Sequence, residues 1–192
     1  MTQISTEERI AQTAQEGAAL VRLALGVYGE REGQASIETR LTVPWLGGEA
    51  VLRLQDVGGL VDLNTAGVEL MEALAAAMDI PPEALQRYRD WRRTPHRLQS
   101  VRDFGRVAGL DWHVSQALTG IATVHSGRFG VAPDVAPDRL LDLLGGEIRE
   151  EWRSAPSGAI YEVRIDSAGQ SRLLGIVALG SGSSQGRVLE LR

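Results

Sequence analysis

The chain's pattern of apolar residues changes period twice, and this limits its fold more than any single motif. Ile37, Thr39, Leu41 and Val43 alternate with Glu38, Arg40 and Thr42, and Ala50, Leu52 and Leu54 alternate with Val51, Arg53 and Gln55. Period two returns only near the other end. There Tyr161, Val163 and Ile165 alternate with Glu162, Arg164 and Asp166, followed by the apolar run 173–179 and the short run 188–191. Between these groups the apolar residues recur at helical spacing. A half-buried strand needs neighbours in a sheet, so the alternating segments are expected to be strands, the first two forming a hairpin, with helical segments carried between the two groups. The expected class is α+β: a long N-terminal helix on an antiparallel β-sheet, with an all-helical insertion. The expected organisation is residues 1–60 (helix and first β-hairpin), 61–146 (inserted helical domain) and 147–192 (closing strands).

Residues 5–28 fit one amphipathic helix. Ser5 and Glu8 have the spacing of a capping box, and Ile10, Ala14, Ala18, Val21 and Leu25 mark an apolar stripe. Small side chains let a neighbour approach closely, so Ala11, Ala14, Ala18 and Leu25 are the candidate residues for packing against partner helices or the chain's own sheet. Residues 44–48 are expected to form the turn of the first hairpin. Asn64 or Thr65 is expected to cap the helix that carries Val68, Leu70, Met71, Leu74 and Ala75. Pro81-Pro82 restart the chain for a helix with Leu85, Tyr88 and Trp91. Ser100 and Asp103 suit a second capping box, Gly109 ends that helix, and 112–118 form one more, so 64–118 is expected to be all-helical. Residues 121–124 are extended, 137–144 a short helix stopped by Gly145-Gly146, and 147–153 a further turn or two of helix.

Composition removes several kinds of chemistry. The 20 basic residues are all arginine, which leaves no lysine for a Schiff base or a phosphate-binding loop. Cysteine is absent, which excludes disulfides and thiol chemistry. His96, His113 and His125 are not spaced as zinc ligands, and there is no Gly-x-Ser-x-Gly elbow. The Gly/Ser loop 180–186 has no phosphate-binding context, and Glu150-Glu151 lie on a solvated charged segment. A non-enzymatic role is expected. The net charge of −5 argues against nucleic acid as a partner. No stretch nears the ~20 apolar residues of a membrane span, and 1–8 are too polar for a signal peptide.

Two segments have the form of helix-hairpin-helix units: 61–66 with the helices after it, and 100–110. DNA-binding versions expose turn N–H groups to a phosphate. Here the first turn is Met78-Asp79-Ile80-Pro81-Pro82, with two prolines that lack N–H groups and a repelling carboxylate. The second has Gly109 followed by Asp111. Arg87, Arg89, Arg92, Arg93 and Arg97 form a local basic cluster, expected as a solvated helix face first, a protein-binding surface next and a nucleic-acid surface last.

In order along the chain, these segments resemble one family. Residues 55–66 (Gln-Asp-Val-Gly-Gly-Leu-Val-Asp-Leu-Asn-Thr-Ala), Tyr88-Arg89-Asp90-Trp91-Arg92, 100–110, Thr123-Val124-His125-Ser126-Gly127, 131–137 and the closing strands from Tyr161 are similar to the minor pseudopilin of type II secretion called general secretion pathway protein K. The resemblance implies a pilin-like helix and sheet with a helix-hairpin-helix or SAM-like domain inserted. It implies a minor pseudopilin at the pseudopilus tip, acting in pseudopilus assembly and protein secretion. Its partners would be the other minor pseudopilins in a heteromeric tip complex, and the inner-membrane secretion platform. Its place would be the periplasmic face of the bacterial inner membrane. The chain is shorter than the family between Trp91 and Ser100, and it has neither the family's prepilin signal nor its membrane helix. On this resemblance 6–26 is the soluble end of the long pilin helix. Family members can bind calcium, but no motif here supports a site: Asp56, Asp62 and Asp134 are expected to cap loops, and no metal or cofactor is assigned. The alternatives are a helix-hairpin-helix DNA-binding module and a soluble interaction domain without an anchor.

Overall fold

The computed structural model describes residues 15–24, 39–46, 48–179 and 186–191. In chain order the elements are helix α1 (within residues 15–24), β1 (Thr39–Trp45), β2 (Gly48–Asp56), β3 (Val61–Asp62), α2 (Val68–Ala77), α3 (Pro82–Arg92), α4 (Val101–Ala108), α5 (Trp112–Ala117), β4 (Ala122–Thr123), α6 (Asp138–Leu143), β5 (Ile160–Ser167), β6 (Gln170–Ala178) and β7 (Arg187–Leu191). Single 3₁₀ turns lie at Val57–Gly59, Pro133–Val135 and Glu150–Trp152. The chain divides into two compact units, 1–56 with 158–192 and 57–157.

In the first unit the alternating segments pair antiparallel in the order β1-β2-β5-β6-β7. β2 and β5, over a hundred residues apart, are neighbours: Leu52 faces Ile165, Leu54 faces Val163 and Asp56 faces Tyr161. The first hairpin turn is tighter than expected, because Pro44 and Trp45 still pair, opposite Glu49 and Gly48. Proline is tolerated there because β1 is a sheet edge and needs no N–H on its open side. The inward side chains of the sheet, among them Val43, Leu52, Leu54, Val163, Ile165 and Leu174, close over Leu20, Val21 and Ala24 of α1. On β5, Glu162 and Arg164 are also buried, and they pair with each other at 2.8 Å. Arg164 Nε donates to Ser171 Oγ at 3.1 Å. The pattern of two placed these charges on one face but did not show that the face is covered.

The second unit is not all-helical, as expected from sequence. β3 and β4 form a short parallel pair, with Val61 beside Ala122 and Asp62 beside Thr123. The helices pack around it through Leu63, Leu70, Leu74, Leu85, Tyr88, Phe104 and Leu140. Tyr88 and Phe104 meet edge to face, 4.7 Å apart. Residues 147–157, grouped with the closing strands on sequence, belong to this unit, since Ile148 and Trp152 are in its core. The expected Asn64 or Thr65 cap is also corrected: α2 starts after Gly67 with no side-chain cap. The Ser100 cap is present, with its Oγ accepting from Asp103 N–H, while Asp103 reaches back to the N–H of Gln99. The helix ends at Gly109 in the left-handed conformation, φ 66°.

Two glycines are required by close backbone approach. A Cβ on Gly59 would lie 2.1 Å from the Val135 carbonyl oxygen, and one on Gly130 would lie 2.1 Å from that of Trp152. Backbone cannot swing away as a side chain can. Gly130→Ala should therefore cost on the order of 3 kcal/mol, at the upper end for overpacking. Urea denaturation measures it, and a change within experimental error would contradict the packing at this contact.

Candidate functional site

The candidate packing face of the N-terminal helix is described only in part. Ala11, Ala14 and Leu25 lie outside the described residues, as does the Ser5/Glu8 capping box. Gly17, Leu20, Val21 and Ala24 form the buried stripe of α1. Gly17 faces the sheet, and a Cβ there would make an ordinary contact with Leu174 Cδ2 at 3.5 Å. Ala18 is half-buried, one flank away from the stripe's centre. On the opposite flank Ala19 and Leu23 are exposed, and an open pocket of about 340 Å³ lies between α1 and the β1–β2 turn, lined by Glu16, Ala19, Leu20, Pro44, Trp45 and Leu46.

The two helical hairpins have lost the chemistry that would hold a phosphate. At the α2–α3 turn, Asp79 N–H donates to Ala76 O and Ile80 N–H to Ala75 O, and Pro81 and Pro82 follow. At the α4–α5 turn, Gly109 N–H donates to Arg106 O and Leu110 N–H to Gly105 O. Those amides are already bonded within the turns. Asp79 is also held at φ 52°, with its carboxylate exposed.

Most of the expected basic cluster is used inside the unit. Arg87 sends its guanidinium to the carbonyl of Ala108, tying α3 to the end of α4. Arg92 donates to Ala66 O at 2.9 Å, ahead of α2. Arg89 pairs with Glu72 on α2, and Arg93 with Asp90 on its own helix. Arg97 is exposed in the loop before α4. The solvated-face expectation holds for Arg87, which stays exposed while it bonds to Ala108 O, and is met only in part by Arg92, which is half-buried and bonded to Ala66 O. Only an arginine reaches that far and still presents several N–H donors.

Asp62 is the centre of the densest polar site among the described residues. It is 1% exposed. Its Oδ1 accepts from the N–H of Asn64 at 2.8 Å and of Thr65 at 3.2 Å, and its Oδ2 from Ser126 Oγ at 3.1 Å and Gly127 N–H at 2.7 Å. Asn64 extends the knot by donating to Leu98 O and Val124 O and accepting from Leu98 N–H. Thr65 Oγ1 donates to Arg128 O. The loop-capping expectation describes Asp62 well, and both its oxygens are occupied by donors rather than open to a cation. Asp56 accepts from Gly158 N–H at 2.8 Å, and Asp134 is exposed on a 3₁₀ turn. Sequence reasoning missed Asn64 as a tether. A polar residue before a helix suggests a cap, and nothing local shows that its partners lie 34 and 60 residues away. His96 stands 6.5 Å from Trp91, ring to ring, His113 is exposed and His125 is half-buried. Among the described residues no three His, Asp or Glu side chains are grouped to hold a metal ion, and no helix is long and apolar enough to cross a membrane.

Two consequences are measurable. Asp62→Ala strands several buried N–H donors and should cost about 3 kcal/mol or more in a denaturation experiment, with faster amide exchange at Gly127. Unchanged stability would mean the knot is not a structural centre. Burial raises the Tyr88 phenol to about 12, with Arg92 opposing and Asp62 adding to the rise. A raised phenol favours the neutral form in the folded state. The stability it contributes is complete below the unfolded value of about 10 and is lost as pH climbs from 10 to 12, up to about 3 kcal/mol. Tyr161, also raised by burial, adds its own slope. Tyr88→Phe should therefore flatten part of the alkaline fall in melting temperature while costing little at neutral pH, because the buried hydroxyl makes no hydrogen bond of good geometry. An identical alkaline profile in the variant would refute the assignment.

Comparison with known proteins adds the fold. No family model and no curated protein matches this sequence. Among solved structures, a chain in the crystal structure of the GspK-GspI-GspJ complex from the enterotoxigenic Escherichia coli Type 2 Secretion System is similar over 96% of both chains, with a TM-score of 0.64 and 12% sequence identity. The helix and antiparallel sheet described above are thus the fold of a type II secretion pseudopilin.

Proposed function

We infer that this chain is a pseudopilin of a type II secretion system, and more narrowly a minor pseudopilin of the protein K type that sits at the pseudopilus tip. The observation that carries this is the match in fold over 96% of both chains to a member of a three-protein secretion complex. The ordered motifs of residues 55–66, 88–92, 100–110 and 123–137 support the narrower assignment, because they fall in the same order as in that family.

On this reading the protein works by assembly rather than by catalysis. The small-residue side of the N-terminal helix, with Ala11, Ala14, Ala18 and Leu25, would receive the helices of partner pseudopilins, since small residues permit close helix approach. In this reading the helical unit would be too bulky to let another subunit sit above it, which would make the protein a cap. The other minor pseudopilins are its proposed partners, with the inner-membrane platform as a further contact. Its proposed place is the periplasmic face of the inner membrane. No cofactor, calcium included, is part of the proposal.

Co-expression with the pseudopilins encoded beside it tests the reading. A single heteromeric species on size exclusion at micromolar concentration is expected, and Ala18→Arg should weaken it. Separate elution of every component would remove the main support.

A further inference from the structure

The two edges of the five-stranded sheet are finished differently. Among the described residues β1 pairs only with β2, and β7 only with β6. An edge strand leaves a row of backbone N–H and C=O groups open, and proteins blunt such rows with proline and charge. β1 follows this rule: it contains Pro44, and its exposed residues Arg40 and Thr42 are polar. β7 has no proline, and its Val188, Leu189 and Leu191 are 37%, 37% and 51% exposed. No other four-residue stretch among the described residues exposes more than one large apolar side chain.

The register places two of these side chains on the core side of the sheet. Val188 lies opposite Val177, and Leu191 opposite Gly175, which in turn faces Val163. Val163 and Val177 belong to the core that α1 closes. Directly opposed residues share a face, so Val188 and Leu191 continue that core face outward. Leu189 is the extra residue of a bulge between them, which brings positions three apart to one side. The apolar face of the sheet therefore runs on past the part that α1 covers.

These features define an occupant. A row of open backbone donors and acceptors is matched only by another extended backbone. The two apolar side chains need apolar neighbours on the same face, at alternate positions of the added strand. β7 holds one arginine and one glutamate, so its sequence gives no preference for a charged partner. This is the chemistry of strand addition, in which main-chain bonds supply affinity and alternate side chains supply specificity.

We propose that the open edge of β7 receives an extended, uncharged segment of a partner pseudopilin. That segment adds a sixth strand to the sheet and sets its apolar residues beside Val188 and Leu191. The proposal rests on the function inferred above. The β1 edge is not the site, because Pro44 interrupts its row of donors.

The test uses the full chain and its co-expressed pseudopilins. Amide hydrogen exchange of β7 is compared between the free protein and the complex. Val188→Arg and Leu191→Arg are each compared with the parent in affinity, with Thr42→Arg on the β1 edge as the control, and melting curves show that the variants fold. The expected result is exchange slowed about tenfold or more at β7 amides in the complex, since a newly bonded amide exchanges only on opening. Affinity should fall about tenfold or more in the two β7 variants, the size of a hot-spot loss, and stay unchanged in the control. Unprotected β7 amides in a complex that forms normally overturn strand addition and leave the inferred function standing, whether or not the β7 variants weaken binding. Absence of any complex with the parent protein overturns the inferred function, and the docking edge with it. Self-association of the parent protein alone that Leu191→Arg abolishes overturns the proposal in favour of a second copy as the occupant.

Discussion

The pairing of β2 with β5 is the interaction on which the sheet depends. It joins residues on either side of a hundred-residue excursion, from Val51 opposite Asp166 to Asp56 opposite Tyr161. Closing a flexible loop of that length costs about 4 kcal/mol in chain entropy, a figure that grows only slowly with length. A few fully buried aliphatic side chains at about 2 kcal/mol each are enough to offset it. Leu52, Leu54, Val163 and Ile165 supply them on the inward face. On the other face the buried Glu162–Arg164 pair is held by a third group, Ser171. A buried pair of this kind is sensitive to the loss of one partner, so the centre of the sheet tolerates change less well than its edges.

The helical unit meets a different difficulty. Its elements are short, from six to eleven residues in the α-helices, and short helices leave a large share of their backbone groups without intrahelical partners. Side chains supply many of the missing bonds. Asp62 gathers four donors from two loops, Asn64 bridges two further segments, and Arg87 and Arg92 reach carbonyls on other elements. Polar residues that a sequence would place on the surface are thus part of how the interior closes.

How far the sequence could be followed divides along the same line. Strand periodicity revealed β1, β2 and β5, because period two is imposed locally by the pleat, and β6 and β7 were read as short apolar runs; that β2 and β5 are neighbours in one sheet was not legible. The Ser100 cap and the Gly109 stop were legible for the same reason: both partners of each interaction lie within a few residues. The β3–β4 pair was not, since two-residue strands carry no periodicity and their partners are sixty residues apart. The partners of Asn64, Arg87 and Arg92 were hidden too, because nothing in a residue's neighbourhood specifies a distant carbonyl. Of the candidate packing face, only Ala18 lies among the described residues, half-buried beside a stripe centred on Gly17, Leu20, Val21 and Ala24.

The bond between Asp56 and Gly158 has a mechanical consequence. Chain exit and chain return are 2.8 Å apart, atom to atom, at the end of the β2–β5 ladder. Tension applied along the chain between the first and last strands of the sheet enters β2 and leaves β5 at the same end of that ladder, beside Val51 and Asp166, so its hydrogen bonds open one after another and the Asp56–Gly158 clasp parts last. Residues 57–157 lie on the slack side of the clasp. They bear no load until β2 and β5 have parted, so the sheet can transmit force while the helical unit keeps its shape.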